Sequence, residues 1–409
     1  MQTCFLSADI LLPAGGVDPA RWAVIACDQF TSQPAYWQQA EAAAADSPST
    51  LHIIYPEAYL SQGEARIPRI REAMARYLED GTLARRVTDG FVLVRRTTKS
   101  GERLGLVGKL DLEQYDYTPG TDAPVRATEG TILSRIPPRV KIRRGAPLES
   151  PHVMMLVDDP AMRLIEPLAA QALAPLYDAE LMLGGGHIAG YAVEGEAARQ
   201  TERTLQAMQR ESGGFFLAVG DGNHSLATAK ACWAEIRAAL TPAQRENHPA
   251  RYALVELVNL HSPALTFEPI HRVVFGADMD ALIAAWQDSL RAQGMALAPG
   301  GEVVFAQGDE QLRFDVQGRG DRLPVDVLQR FLDAHTAENP SLTLDYVHGE
   351  RDAIGLTEGG AACAILLGAI DKHSLFPAIA AGGVLPRKTF SMGESTEKRY
   401  YMECRRIES

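Results

Sequence analysis

An apolar run from Phe215 to Val219 stops at Gly220-Asp221-Gly222, and an Ala-rich stretch of good helix formers begins at Leu226. That pattern specifies a strand, a tight turn and a helix. The turn carries the polar groups: the Asp221 carboxylate, Asn223 and Ser225 as hydrogen bonders and helix caps, and His224 as a titratable donor. Gly220 and Gly222 let backbone amides approach a ligand, and a helix start with bare amides and a partial positive charge suits a phosphate. One polar side chain suffices to cap a helix, so Asp221, Asn223, His224 and Ser225 together point beyond capping. Neither a P-loop nor a Rossmann fingerprint falls in this turn.

A chain of 409 residues has room for two or three domains or one large α/β body with additions. Its net charge of -12 argues against a nucleic-acid surface, which needs a basic stripe. Cys4, Cys27, Cys232, Cys363 and Cys404 form no Cys-x-x-Cys pair and read as free thiols in a reducing cytoplasm. No stretch is apolar for long enough to span a membrane, and no secretory signal pattern opens the chain. A cytoplasmic protein is expected.

Along the chain, Leu51 to Tyr55 is predicted as a strand, Ile67 to Glu79 as a helix, and Phe91–Thr97 with Leu104–Asp111 as a hairpin. Ala161 to Leu176 is predicted helical, and Gly184-Gly185-Gly186-His187 as a loop tip or hinge. Between the hairpin and the 161–176 segment lies a basic island of Arg126, Arg135, Arg139, Lys141, Arg143 and Arg144. It reads as a pocket for an anionic substrate, with solvated surface arginines as the bland alternative. A second candidate is His271-Arg272, at the break that Pro269 is expected to make in an apolar strand. Arg272 would clamp a carboxylate or phosphate; the alternative is a satisfied histidine with a solvated arginine. No His pair stands at metal-ligand spacing, so no structural metal is expected.

Five separated motifs line up in order: Thr128-Glu129-Gly130-Thr131, Ser150-Pro151, Gly220-Asp221-Gly222-Asn223-His224, Pro269-Ile270-His271-Arg272, and Gly383-Val384-Leu385-Pro386-Arg387-Lys388-Thr389. In these the chain resembles the prokaryotic family designated domain of unknown function 1015. The order of a Glu, a strand–Asp-Gly-x-His–helix and a late Pro-x-Lys-Thr is also similar, more distantly, to archaeal free-serine kinases of the ParB/sulfiredoxin-like fold. That resemblance implies an α/β protein with a mixed α+β sheet, a ParB/sulfiredoxin-like core and N-terminal and C-terminal additions. The expected division is residues 1–112, a core over 113–275 carrying the turn, and 276–409.

Carried across, the resemblance makes Glu129 and Asp221 the acid–base carboxylates. His224, with the Gly222 and Asn223 amides, becomes the phosphate holder, and Lys388-Thr389 beside Arg387 completes an anion pocket. Arg126, Arg135, Arg139, Ser225, His271 and Arg272 are the further substrate-binding candidates. Asn223 and Ser225 stand where those kinases usually have His and Arg, which lowers the turn's positive charge and tilts the expectation toward a phosphatase or a low-energy phosphate donor. The expected function is phosphoryl transfer at the hydroxyl of serine or a similar metabolite, as kinase or phosphoserine phosphatase. Mg²⁺ would enter with a nucleotide, ATP or ADP. The alternative is a non-catalytic nucleotide- or phosphate-binding regulator. Its partner would be a small anionic molecule, with no nucleic acid and no membrane, and a homodimer is compatible with the sequence.

Overall fold

A computed structural model of the chain describes residues 3–31, 33–150, 152–386 and 388–408. They form a mixed α/β protein of two compact units, Met1–Leu265 with Gly393–Ser409, and Thr266–Met392. The three-way division expected from the sequence differs from this, because Gly101–Asp111 pairs antiparallel with Tyr252–Asn259. Residues on both sides of position 112 therefore share one sheet.

In the first unit an 11-stranded sheet runs in the order Ala174–Leu181, Gly186–Val193, Leu83–Thr98, Gly101–Asp111, Tyr252–Asn259, Met154–Val157, Leu217–Asp221, Val125–Ala127, Tyr115–Asp116, with two short N-terminal strands added alongside. Its centre is covered on both faces, which is why Tyr252–Asn259 is buried at every position. Alternation divides the side chains between two cores. Val92, Val94, Val107 and Leu254 face one, and Phe91, Leu93, Leu106 and Val255 face the other.

The C-terminal residues belong to this unit. Tyr400–Tyr401 pairs antiparallel with Val24–Ile25, Arg405–Arg406 with Leu148–Glu149, and the buried Trp22 indole donates to the Met402 carbonyl at 2.9 Å.

The second unit is an antiparallel sheet in the order Glu310–Gln317, Ala296–Gln307, Ala362–Leu367, Phe267–Phe275, Thr343–His348, with Phe390–Met392 pairing onto the start of Phe267–Phe275. Pro269 lies inside that strand rather than breaking it.

Two local expectations fail for identifiable reasons, and a third holds in part, since Gly184 and Gly185 do form the tip between the antiparallel strands Ala174–Leu181 and Gly186–Val193. Leu51–Tyr55 is not a strand; Thr50–His52 is a 3₁₀ turn, because the Ser49 hydroxyl caps the Leu51 amide and the Thr50 hydroxyl donates to the Trp22 carbonyl. Only Glu166–Ala169 of the expected 161–176 helix is helical, since Asp159 Oδ2 captures the Arg163 and Leu164 amides and Ala174 already begins a strand. Gly186-His187 opens a strand, and the His187 ring pairs with Asp178 across it at 2.8 Å. All five cysteines are free, and four are buried. Among the described residues no helix is long and apolar enough to cross a membrane.

Candidate functional site

Val125–Ala127 and Leu217–Asp221 are parallel neighbours, with Ala127 opposite Val219. That register carries Thr128 and Glu129 out of the sheet alongside Gly220 and Asp221, at the carboxyl ends of two parallel strands, where open α/β sheets receive ligands. The Thr128 hydroxyl fixes the exit by donating to the Val219 carbonyl at 2.6 Å.

Gly222 then turns the chain into the helix Asn223–Ala238 with φ 82° and ψ 26°, a left-handed conformation, and as the N-cap residue it contributes no side-chain cap. A helix start of this kind suits an anion. A Cβ at 222 would stand 3.0 Å from Val153 Cα. Gly222→Ala is expected to lose on the order of 1–3 kcal/mol of stability and to weaken phosphate binding with it. Urea unfolding and a phosphate titration of the same sample check both effects, and an unchanged denaturation midpoint would contradict the crowding argument.

His224 sits one residue into the helix, and its Nε2 accepts the Ile132 amide at 3.2 Å. An amide can donate only to an unprotonated ring nitrogen, so this contact requires the neutral imidazole with its proton on Nδ1. In this arrangement His224 ties the loop that carries Glu129 to the helix start. Asp221 is fixed from two sides: Oδ1 accepts the Gly222 amide at 2.9 Å, and Oδ2 lies 3.5 Å from Lys398 Nζ. The side chains of Asp221 and Lys398 are 23% and 12% exposed, so the pair is only partly screened by water.

Behind the turn lies a group of side chains that the sequence reading did not single out. His152 Nδ1 is 2.6 Å from the Tyr401 hydroxyl, which also accepts the Cys27 amide at 3.2 Å, and His152 Nε2 faces Asp28 Oδ2 at 3.8 Å. Burial pushes the imidazole pKa down, but Asp28, Cys27 and Asp221 together outweigh it and raise the value to about 10. Burial likewise favours a protonated Asp28, yet His152, Gln29 and Lys398 hold its pKa below the usual carboxylate value. Lys398 and Tyr401 come from the last dozen residues, beyond the final motif. His152 follows the Ser150-Pro151 motif immediately, and that adjacency was the available signal; Pro151 itself lies outside the described residues.

The basic island is largely matched by acids. Arg139 pairs with Glu57, Lys141 with Glu64 at 2.6 Å, Arg143 with Glu149 at 2.6 Å and Arg144 with Glu235 at 2.9 Å. The helix Ile136–Arg143 buries Ile136 and Val140 against Ala227 and Cys232, which turns its basic residues outward to meet those carboxylates. Arg126 lies over the Phe215 ring at 4.5 Å and donates to the Ala123 carbonyl; Arg135 is exposed. Ser225 occupies the first turn of the 223–238 helix, partly exposed.

In the second unit His271 Nδ1 accepts the Leu367 amide at 3.1 Å. Arg272, fully buried, donates to Gln329 and to the Ile270 carbonyl and stacks over Tyr346. Those contacts make Arg272 an anchor of its own sheet. Thr389 donates to the Pro386 carbonyl, Lys388 is exposed, and Arg387 lies outside the described residues. Among the described residues, no group of three or more His, Cys, Asp or Glu is placed to hold a metal ion.

Comparison with solved structures finds low-identity likenesses. A free serine kinase in complex with AMP is 11% identical over 73% of this chain and 91% of its own, with a TM-score of 0.38. A conserved hypothetical protein from Pyrococcus furiosus is 11% identical over 72% of this chain and 90% of its own, at 0.33. SbnI with a C-terminal truncation, from Staphylococcus aureus, is 9% identical over 70% of this chain and 83% of its own, at 0.34. No curated protein matches. The family model described as "Protein of unknown function (DUF1015)" matches residues 11–339, and the chain belongs to that family.

Proposed function

We propose that this chain moves a phosphoryl group to or from the hydroxyl of a small amino-acid metabolite, with serine and phosphoserine as the first pair to test. What supports the reading is the junction at the ends of the two parallel strands. There the Glu129 loop, tied down through Ile132 and His224, meets a helix that starts at a left-handed glycine and the Asp221–Lys398 pair.

Phosphoryl transfer needs neutralised phosphoryl oxygens, a held hydroxyl and a group to take or return its proton. The first-turn amides and Lys398 answer the first need. Asp221, locked by Lys398 and by the Gly222 amide, is suited to holding the hydroxyl. Glu129 is assigned the proton, taking it from the hydroxyl in the kinase direction and returning it to the leaving serine oxygen in the phosphatase direction, where water accepts the phosphoryl group and inorganic phosphate leaves. A nucleotide, when bound, would supply or accept the phosphoryl group. The amide and ammonium donors around the turn suit phosphate oxygens, and Mg²⁺ would accompany the nucleotide.

The test is a thermal-shift panel with serine, phosphoserine, AMP, ADP, ATP and inorganic phosphate, followed by ³¹P NMR of the stabilising combinations. The expected result is stabilisation by phosphate-bearing ligands and interconversion of serine and phosphoserine. Stabilisation with no phosphate transferred or released would instead identify a binding regulator, and no stabilisation by any ligand would remove the phosphate site.

A further inference from the structure

The loop Cys27–Phe30 is held in a conformation that its sequence resists. Phe30 has φ 51°, a left-handed value that is unfavourable for a bulky side chain. Surrounding contacts impose it. The Phe30 ring stacks on Tyr36 at 3.9 Å, the Trp37 indole donates to the Gln29 carbonyl at 3.2 Å, and the Glu57 amide donates to the Cys27 carbonyl at 2.7 Å. The result is that Asp28 faces His152. The imidazole in turn packs behind the phosphate turn: its Cδ2 lies 3.5 Å from where a Cβ of Gly222 would be. Backbone strain, a buried histidine bridged between a carboxylate and a phenol, and contact with the one left-handed glycine of the turn thus occur at a single place.

We infer that His152, clamped between Asp28 and Tyr401 behind Gly222, is a positioning residue of the phosphate site, supplying a fixed positive charge to the turn that receives the phosphoryl group. The inference rests on the functional reading above. The groups facing the imidazole are Asp28 and Cys27 from the 27–30 loop, Tyr401 from the C-terminal strand and Asp221 from the end of its strand, with Lys398 beside both carboxylates. In this company the imidazole keeps its proton through neutral pH, its pKa raised to about 10. His152 and Lys398 then set two cations against the two carboxylates Asp28 and Asp221, so that no unbalanced negative charge stands behind the helix start. With those carboxylates balanced, the helix start favours an anion such as phosphate.

The test uses the full chain with ring-labelled histidine, His152→Gln assigning the resonance, and Asp28→Asn as the variant. The expected midpoint for His152 falls to about 7 in Asp28→Asn, near the ordinary imidazole range, because the carboxylate that holds the proton is gone. Inorganic phosphate affinity is measured alongside, as the ratio of variant to wild-type Kd at each pH, so that the ligand's own titration cancels. That ratio is expected to stay near one at about pH 6 and to rise roughly tenfold by about pH 8, as the variant's imidazole loses its charge. A purely structural role would give a ratio independent of pH. If Asp28→Asn does not fold, Tyr401→Phe removes the other clamp and is expected to shift the midpoint and the ratio the same way. An unmoved midpoint, or a flat ratio with wild-type binding intact, overturns the inference alone. Absence of wild-type phosphate binding at every pH overturns the functional reading, and the site His152 serves falls with it.

Discussion

Glu129→Gln is expected to bind inorganic phosphate as wild type does and to interconvert serine and phosphoserine about a thousandfold more slowly. The amide has the shape of the carboxylate but cannot take a proton from a hydroxyl. Two anchors of the loop belong to other residues and persist in the variant: Thr128 to the Val219 carbonyl, and Ile132 to His224. A loss of turnover with intact binding would therefore report the missing proton acceptor rather than a displaced loop. The choice of Glu129 over Asp221 follows from what holds Asp221. Asp221 is engaged by Lys398 and the Gly222 amide, so lending it to a proton transfer would disturb the ammonium that neutralises the phosphoryl oxygens. ³¹P NMR run in both directions measures the effect, with circular dichroism as the folding control. Turnover within about threefold of wild type would exclude Glu129 as the base.

What the sequence revealed of this site was its contiguous half. The strand Leu217–Asp221 and the helix Asn223–Ala238 follow from an apolar run, a glycine turn and helix formers, all local signals. The pairing of Val125–Ala127 beside that strand is not local, and the Asp28, His152, Tyr401 and Lys398 cluster is less so: its members are brought together by short strand pairings such as Tyr400–Tyr401 with Val24–Ile25. A two-residue strand has no periodicity to detect. Lys398, which stands beside Asp221, lies in a stretch that offers no glycine-bracketed signature. Basic runs mislead for a different reason. Charge in a sequence does not state its partner, and the glutamates that match Arg139, Lys141, Arg143 and Arg144 stand at 57, 64, 149 and 235.

Arg399→Met is expected to remove on the order of 3–5 kcal/mol of folding stability, more than any other single change argued from this structure. Arg399 is 2% exposed and forks between Glu256, also 2% exposed, and Glu403, fully enclosed, whose other oxygen accepts the Tyr177 hydroxyl at 2.5 Å. The fold makes room for this group deliberately: a Cβ at Gly105 would lie 2.1 Å from Glu256 Oε1. Methionine fills much of the arginine's volume, so the loss comes from two carboxylates left buried without their shared cation rather than from a cavity. The pH dependence identifies the mechanism. Burial favours protonated Glu256, but Arg399 and Arg103 overcome it and hold the pKa below the usual value, so in the wild type this carboxylate stabilises the fold above about pH 4.5 and ceases to as pH falls through its native pKa. Without Arg399 the burial effect gains weight and the carboxyl is driven toward its neutral form. The gap between variant and wild type in urea unfolding should then be widest near neutrality and narrow toward about pH 4. Adding Glu256→Gln to the variant should recover part of the loss by removing one stranded charge at constant shape. A loss below about 1 kcal/mol, or one that does not change with pH, would mean that the tail is held by its strand pairings and apolar contacts, with the ion pairs contributing little.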